Sequence, residues 1–261
     1  MINGLDGQVR WMHGTGNRFA IIDHAQSRDL DEIDLAKYVG RWVDGLLVLH
    51  PGDDACDLTM KVINSDGSRA RMCGNGLRCI AFDAWRRDVV RGRTVRIRVG
   101  DHVARARIQR ITQDDPVVHV RMPSPIIKSE SDHVHVRIGN EHAVFVHDSM
   151  PDEDRWASEV NRLHQRGLQD LNLHAVHILS GDHVEMMSWE RGAGPTLACA
   201  SGATAVVSAL ASVQQVSSTV RVTQPGGELV VKWRGSERQP VNIGHVGMLA
   251  DPTKEGASDG R

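Results

Sequence analysis

The apolar positions of this chain fall in short runs, many alternating with polar residues. Such runs occupy residues 19–23, 45–50, 58–64, 94–99, 103–108, 117–122, 134–138 and 142–146. The second half adds 173–179, 183–189, 219–223 and 228–233. Their length and period predict strands, and Gly100-Asp101, Gly181-Asp182 and Gly226-Gly227 separate pairs of them as hairpin turns do. Helical spacing is confined to four segments. Residues 30–41 follow acidic residues, and 76–90 set Leu77, Ile80, Ala81 and Ala84 on one face. Residues 156–165 follow Asp152-Glu153-Asp154, a helix start. Residues 202–211 are small and apolar all round, which predicts a helix buried on several sides. Strands outnumber helices without strict alternation, so the expected class is α+β rather than a doubly wound sheet.

At 261 residues the chain suffices for two units of about 100–150 residues each. The polar break Gln113-Asp114-Asp115-Pro116 suggests a first half over 1–115 and a second over 116–244, with a strand near 245–250 returning to complete the first. The polar, glycine-bearing tail 251–261 reads as disordered. A net charge of -2 offers no basic face for a polyanion, and 4% aromatics leave few stacking platforms, so nucleic acid is not expected as a partner. No apolar run reaches the ~18–20 residues of a membrane helix. Asp6, Arg10, His13 and Arg18 interrupt any signal-peptide pattern. Cys56, Cys73, Cys79 and Cys199 are too few and scattered for a disulfide scaffold. The expected compartment is the cytoplasm.

Two cysteines share a context. Cys73-Gly74-Asn75-Gly76 and Cys199-Ala200-Ser201-Gly202 each open one of the apolar helices, 126 positions apart (73 to 199). Two related halves, each with a cysteine at a helix N-terminus, is the economical reading. First-turn N–H groups lack internal partners and carry partial positive charge, so a carboxylate fits against those near Gly74-Asn75 and Ala200-Ser201. The same field is expected to lower a neighbouring thiol's pKa. Facing halves would bring two thiols to one carboxylate-bearing carbon from opposite sides. A thiolate then removes the α-proton from one face and a thiol returns one to the other. This chemistry requires no metal or cofactor, and no Rossmann or P-loop glycine spacing is present. Fourteen histidines, His133 and His135 among them, lack CxxC or HExxH spacing, so no metal site is expected. Cys56 and Cys79 read as core filling.

At these residues the chain resembles the diaminopimelate epimerase family. Met12-His13-Gly14-Thr15-Gly16-Asn17 resembles the family's MHGxGN opening. Ile63-Asn64-Ser65-Asp66-Gly67-Ser68 with Cys73-Gly74-Asn75-Gly76 resembles its NxDGS…CGNG. Trp189-Glu190-Arg191-Gly192-Ala193-Gly194 with Thr196-Leu197-Ala198-Cys199 resembles its ERGxGET…AC. The resemblance implies two similar α/β domains related by a pseudo-two-fold, each a strongly curved sheet around a central helix. It also implies a cofactor-free site between them, a homodimer, and conversion of LL-diaminopimelate to the meso form for lysine and peptidoglycan synthesis. It would make Cys73 and Cys199 the acid/base thiols, helped by His142 and Glu190 respectively. Asn17, Asn64, Asn140, Asn172, Glu190 and Arg191 would line the pocket of the amino-acid substrate. The N–H groups of Gly74, Asn75, Ala200 and Ser201 would hold the α-carboxylate.

Read without the family, Gly139-Asn140 equally suits a hairpin turn, Asn64 a turn, and Glu190-Arg191 a surface pair. The pattern also breaks in places: Arg18 replaces an acid, Gly45 a pocket glutamine, Glu141 the proline of GNPH, and Gly194-Pro195-Thr196 stands for GxGET. These changes leave open a racemase for another amino acid, such as histidine. A different class, a non-catalytic amino-acid-binding or redox-sensing protein, would leave both thiols without a catalytic role.

Overall fold

A computed structural model of the chain describes residues 7–28, 30–110 and 116–254. Asp6, residues 113–115 of the polar break and residues 255–261 of the tail lie outside them. The first half runs β1 (Arg10–Gly14), β2 (Asn17–Asp23), α1 (Glu32–Val39), β3 (Gly45–Asp53), β4 (Cys56–Asn64) and β5 (Arg69–Ala70). It continues through α2 (Gly74–Arg86), β6 (Thr94–Val99), β7 (His102–Arg110) and β8 (Val117–Arg121). After β9 (Ile126–Ser129) the same order returns as β10 (Val134–Ile138), β11 (Asn140–Val146), α3 (Glu153–Leu163), β12 (Asn172–Ser180) and β13 (His183–Glu190). It closes with β14 (Gly194–Thr196), α4 (Ala200–Ser212), β15 (Thr219–Gln224), β16 (Gly227–Lys232) and β17 (Val241–Met248).

The pairing repeats with the order. β2 lies parallel to β3 as β11 does to β12, and β4 parallel to β6 as β13 to β15. The class is therefore α+β, two similar units each curving a sheet around one buried helix. Strand β17 joins the units: residues 241–243 pair with β16 of the second half, while residues 241–245 pair with β8 and 246–248 with β1 of the first.

The central helices α2 and α4 are 13 residues each and buried from Gly74 to Ala84 and from Ala200 to Leu210. In α4 small apolar residues permit contact on all sides. In α2 the buried charges need partners instead: Asp83 accepts from Arg10 at 3.0 Å and from Arg87 at 3.1 Å. The outer helices are amphipathic. Leu35, Ala36 and Val39 of α1 pack on Ala20, Ile22, Leu46 and Val48, while Trp156, Val160 and Leu163 of α3 pack on Ala143, Phe145, Leu173 and Ala175. Their starts are fixed by Asp31 and Asp152, whose carboxylates accept from first-turn N–H groups.

Element limits differ from the pattern in instructive ways. Both central helices begin two residues earlier than the apolar spacing predicts, because cysteines rather than apolar residues cap them. The α2 helix stops at Arg86 rather than residue 90, since Asp88 adopts a left-handed φ of 57°. The short strands β1, β5, β9 and β14 have no alternation by which to be found.

Candidate active site

Cys73 and Cys199 are the N-caps of α2 and α4, each with extended backbone. Each sulfur accepts from the third N–H of its helix, Gly76 or Gly202, at 3.2 Å in both cases. The two caps are neighbours. A Cβ placed on Gly74 would stand 2.8 Å from that of Ala200, so the helix N-termini abut. Asn75 crosses the junction, donating to Ala198 O at 2.8 Å and to Asn17 Oδ1 at 3.2 Å. Gln224 Oε1 accepts from Cys199 N at 2.8 Å, and Ser201 Oγ lies 3.6 Å from Cys199 Sγ. Helix geometry leaves the N–H groups of Gly74, Asn75, Ala200 and Ser201 without carbonyl acceptors in their own helices, an arrangement able to hold an anion, although that of Asn75 also bonds the Cys73 sulfur.

Glu190 connects the thiols electrostatically. It bonds to Cys199, raises the pKa of both sulfurs, and accepts from Thr196 Oγ1 at 2.6 Å. Burial, opposed by those bonds and reinforced by the Asp44 carboxylate, lifts Glu190 to about 7. The thiols depart from the expectation that a helix N-terminus would lower them. Burial pushes Cys73 up to about 12 and Cys199 well above its ordinary value, and the Gly76 and Gly202 N–H bonds only partly offset it. Desolvation of a sulfur anion outweighs the helix field here.

A cavity of about 280 Å³ opens beside Glu190. Asn64, Asn140, Asn172, Glu190 and Arg191 line it, together with Glu141 and Arg71. Three of these asparagines also tie the wall together. Asn64 donates to Arg191 O at 3.2 Å, and Asn172 Oδ1 accepts from Arg191 N at 2.9 Å, so both grip one peptide segment. Asn140 donates to Met72 O at 2.9 Å, beside Cys73. Asn17 sits at the helix junction and donates to Asp44 Oδ2 at 2.9 Å. His142 is buried and hydrogen-bonds His174; among the described residues no bond joins it to either thiol.

Several residues of this region carried no sequence signal of their own. Asp44, next to Gly45, accepts from Asn17 and from the Arg18 N–H. His174 is two residues from Asn172 on β12 and so shares its face, a period-two relation that could have marked it. Arg78 is fully buried and donates to Asn242 Oδ1 at 2.5 Å and Thr15 Oγ1 at 3.2 Å, with Asn75 as a third partner. Burial, without an ion-pair partner among the described residues, pulls its guanidinium down to about 10. Away from the thiols, at the far ends of β2 and β3, His24, Glu32 and His50 group their ligand atoms within 4.8 Å. The Lys61 ammonium lies 3.1 Å from both Glu32 oxygens and already supplies a cation there.

The profile of the diaminopimelate epimerase family matches residues 9–126 and 134–249. The chain is 33% identical over 251 residues to the diaminopimelate epimerase of Carboxydothermus hydrogenoformans, covering 85% of this chain and 90% of that one. It is 33% identical over 261 residues to that of Desulfitobacterium hafniense, covering 87% and 91%. Among solved structures it is similar to a phenazine biosynthesis protein from Bacillus anthracis, with TM-score 0.70 and 13% identity over 93% of this chain and 96% of that one. A hydroxyproline epimerase from Agrobacterium vitis, with bound trans-4-hydroxy-L-proline, gives TM-score 0.68 and 12% identity over 94% and 93%. At such identities the structural likeness speaks for the fold alone.

Proposed function

The chain belongs to the diaminopimelate epimerase family of isomerases, and from that premise we propose that it inverts the α-carbon of LL-diaminopimelate to give the meso form. The single observation that carries this reading is the pair of cysteine caps on abutting helices, with Glu190 interacting with both sulfurs. The α-carboxylate binds the N–H groups of Gly74, Asn75, Ala200 and Ser201, which fixes the α-carbon between the thiols. Burial keeps both thiols neutral, so one proton must leave before the cycle starts. The substrate's α-ammonium favours a thiolate beside it, and Glu190, held near 7, accepts the proton. That thiolate removes the α-hydrogen, and the opposite thiol protonates the carbanion on its other face. The roles of the two sulfurs are then exchanged, and the reverse reaction uses the same groups. No metal or cofactor enters these steps.

Asn64, Asn140, Asn172, Glu190 and Arg191, with Asn17 at the junction, form the pocket for the substrate's distal amino-acid group, and His142 supports the first thiol. We place the division of the functional halves after β9, where the order of elements repeats, and not at residues 115 and 116, which fall between β7 and β8 of the first half. The enzyme acts in the cytoplasm as a homodimer, which sedimentation of the purified chain checks. No described helix is long and apolar enough to cross a membrane.

Incubation with LL-diaminopimelate in deuterated water tests the reading. Deuterium enters the inverted α-carbon, and Cys73→Ser or Cys199→Ser abolishes turnover while the fold persists. A second reading, racemisation of a single-centre amino acid, is favoured by Gly45, which puts no side chain where its counterpart Asn172 reaches the pocket. Exchange into such an amino acid, without exchange into diaminopimelate, would establish it. Unchanged activity in both serine variants would instead point to a binding or redox protein.

A further inference from the structure

Beneath the second thiol runs a line of polar side chains that the first half lacks. Ser188 on β13, His174 on β12 and His142 on β11 are all buried. Ser188 Oγ lies 3.0 Å from His174 Nδ1, and His174 Nε2 lies 2.9 Å from His142 Nδ1. The repeated strand pairing sets Val62, Leu47 and Phe19 at the matching places of the first half. The glycines verify the match. A Cβ on Gly76 would meet Leu47 methyl carbons at 3.1 and 3.2 Å, and one on Gly202 would meet the His174 ring at 2.3 and 2.7 Å. The same position under a thiol-capped helix is thus apolar in one half and hydrogen-bonded in the other. Packing considerations alone favour the apolar set, since buried polar groups gain little unless every partner is supplied.

The geometry constrains the protons. Two rings bonded nitrogen to nitrogen require one bare nitrogen and one N–H between them. Burial holds His174 down to about 3 and His142 well below its ordinary value, so both rings are neutral. If Ser188 donates to His174 Nδ1, His174 Nε2–H donates to His142 Nδ1, and His142 carries its own N–H on Nε2. In the reverse direction the Ser188 hydroxyl hydrogen finds no acceptor within the line and His142 Nε2 is bare. Both directions use two donors, but the first leaves only the His142 Nε2–H unmatched, whereas the second leaves the Ser188 hydroxyl hydrogen and the bare His142 Nε2. His142 Nε2 is buried and has no partner among the described residues, which marks it as the open end. His142 stands opposite Asn172 in the β11–β12 register and two residues from Asn140, both in the cavity wall.

We propose that Ser188 and His174 are positioning residues that lock His142 as a neutral imidazole with its N–H on Nε2. His142 then serves the site as a hydrogen-bond donor to a developing anion and not as a proton acceptor. The proposal rests on the reading of His142 as a site residue. Nitrogen-15 NMR of the full chain labelled at histidine reads the lock without any substrate. His142 and His174 should both show a protonated Nε2 and a bare Nδ1, unchanged between pH 6 and 9. A proton on His142 Nδ1, or an imidazolium in either ring over that range, overturns the proposal. In the assay of the proposed reaction, His174→Leu installs the first half's residue and should fold with an undiminished melting temperature. Its kcat should fall about 10²-fold, the scale of one preorganised donor, with KM little changed. His174→Gln, whose amide can still donate to His142 Nδ1, should recover most of that loss. Wild-type kcat in His174→Leu refutes the role. Absence of any epimerase activity in the wild type would sink the proposed function while leaving the NMR result to stand by itself.

Discussion

Gly74 and Ala200 meet where the two thiol-bearing helices converge, so closely that a Cβ on the first would lie 2.8 Å from that of the second. The contact fixes the spacing of the caps, and with it the separation across which an α-carbon must fit. Gly74→Ala should push the helix ends apart. Displacement of about 1 Å in reacting groups costs ~10²-fold in rate, so turnover should drop on that scale. Steady-state kinetics beside a thermal melt will separate this from unfolding, which should shift by only a few degrees.

Glu190 supplies a pH signature. Its folded-state value of about 7 lies above the ordinary carboxylate range, so between that range and pH 7 the native chain holds a proton that the unfolded chain has lost. Its contribution to stability is therefore full in acid and declines as pH rises through 7. Urea midpoints should show a fall of about 2 kcal/mol from this group, allowing for solvent screening at a half-buried site. Glu190→Gln should remove that decline, and an unaltered profile in the variant would assign the decline elsewhere.

The two cap glycines should respond unequally to a methyl group. At Gly76 the neighbours are Leu47 methyl carbons at 3.1 and 3.2 Å, which can rotate, and the Cys73 sulfur at 3.2 Å; at Gly202 the obstacle is the His174 ring at 2.3 Å. Gly202→Ala should destabilise by about 1–3 kcal/mol, as overpacking does. Gly76→Ala should be nearly neutral, because alanine's helix preference of about 1 kcal/mol offsets the crowding. Denaturant titration of both, with His174→Ala added to the Gly202 variant to relieve it, decides the matter.

Asn242 carries more than its own weight. It accepts from Arg78 and donates to Ala200 O at 3.1 Å, so it ties both central helices to β17. Asn242→Ala leaves a buried guanidinium short of an acceptor and should cost about 1–3 kcal/mol. Chemical denaturation measures it, and a loss below 0.5 kcal/mol, the usual surface value, would show that Arg78 finds another oxygen.

The sequence revealed what obeys local rules. The long strands alternate, the central helices show apolar spacing, and the duplicated Cys-small-Asn/Ser-Gly segments mark the two caps. Less visible was whatever depends on distant neighbours. His174 reads as one histidine among fourteen until β11 and β13 bring His142 and Ser188 alongside. Arg78 reads as a surface residue of a helix until α2 is seen to be enclosed. The thiol pKa values went the other way from expectation because burial is a property of the packed whole, whereas the helix field is local.

β17 has a bearing on how the protein comes off the ribosome. Residues 241–245 pair with β8 and 246–248 with β1, so the unit translated first lacks a strand that pairs with it until the intervening residues 122–240 have been made. Until then β1 and β8 each offer an unpaired edge to any passing chain. Nascent chains halted before residue 241 should therefore stay dependent on chaperones or aggregate, and vectorial maturation gives way to a single late closure.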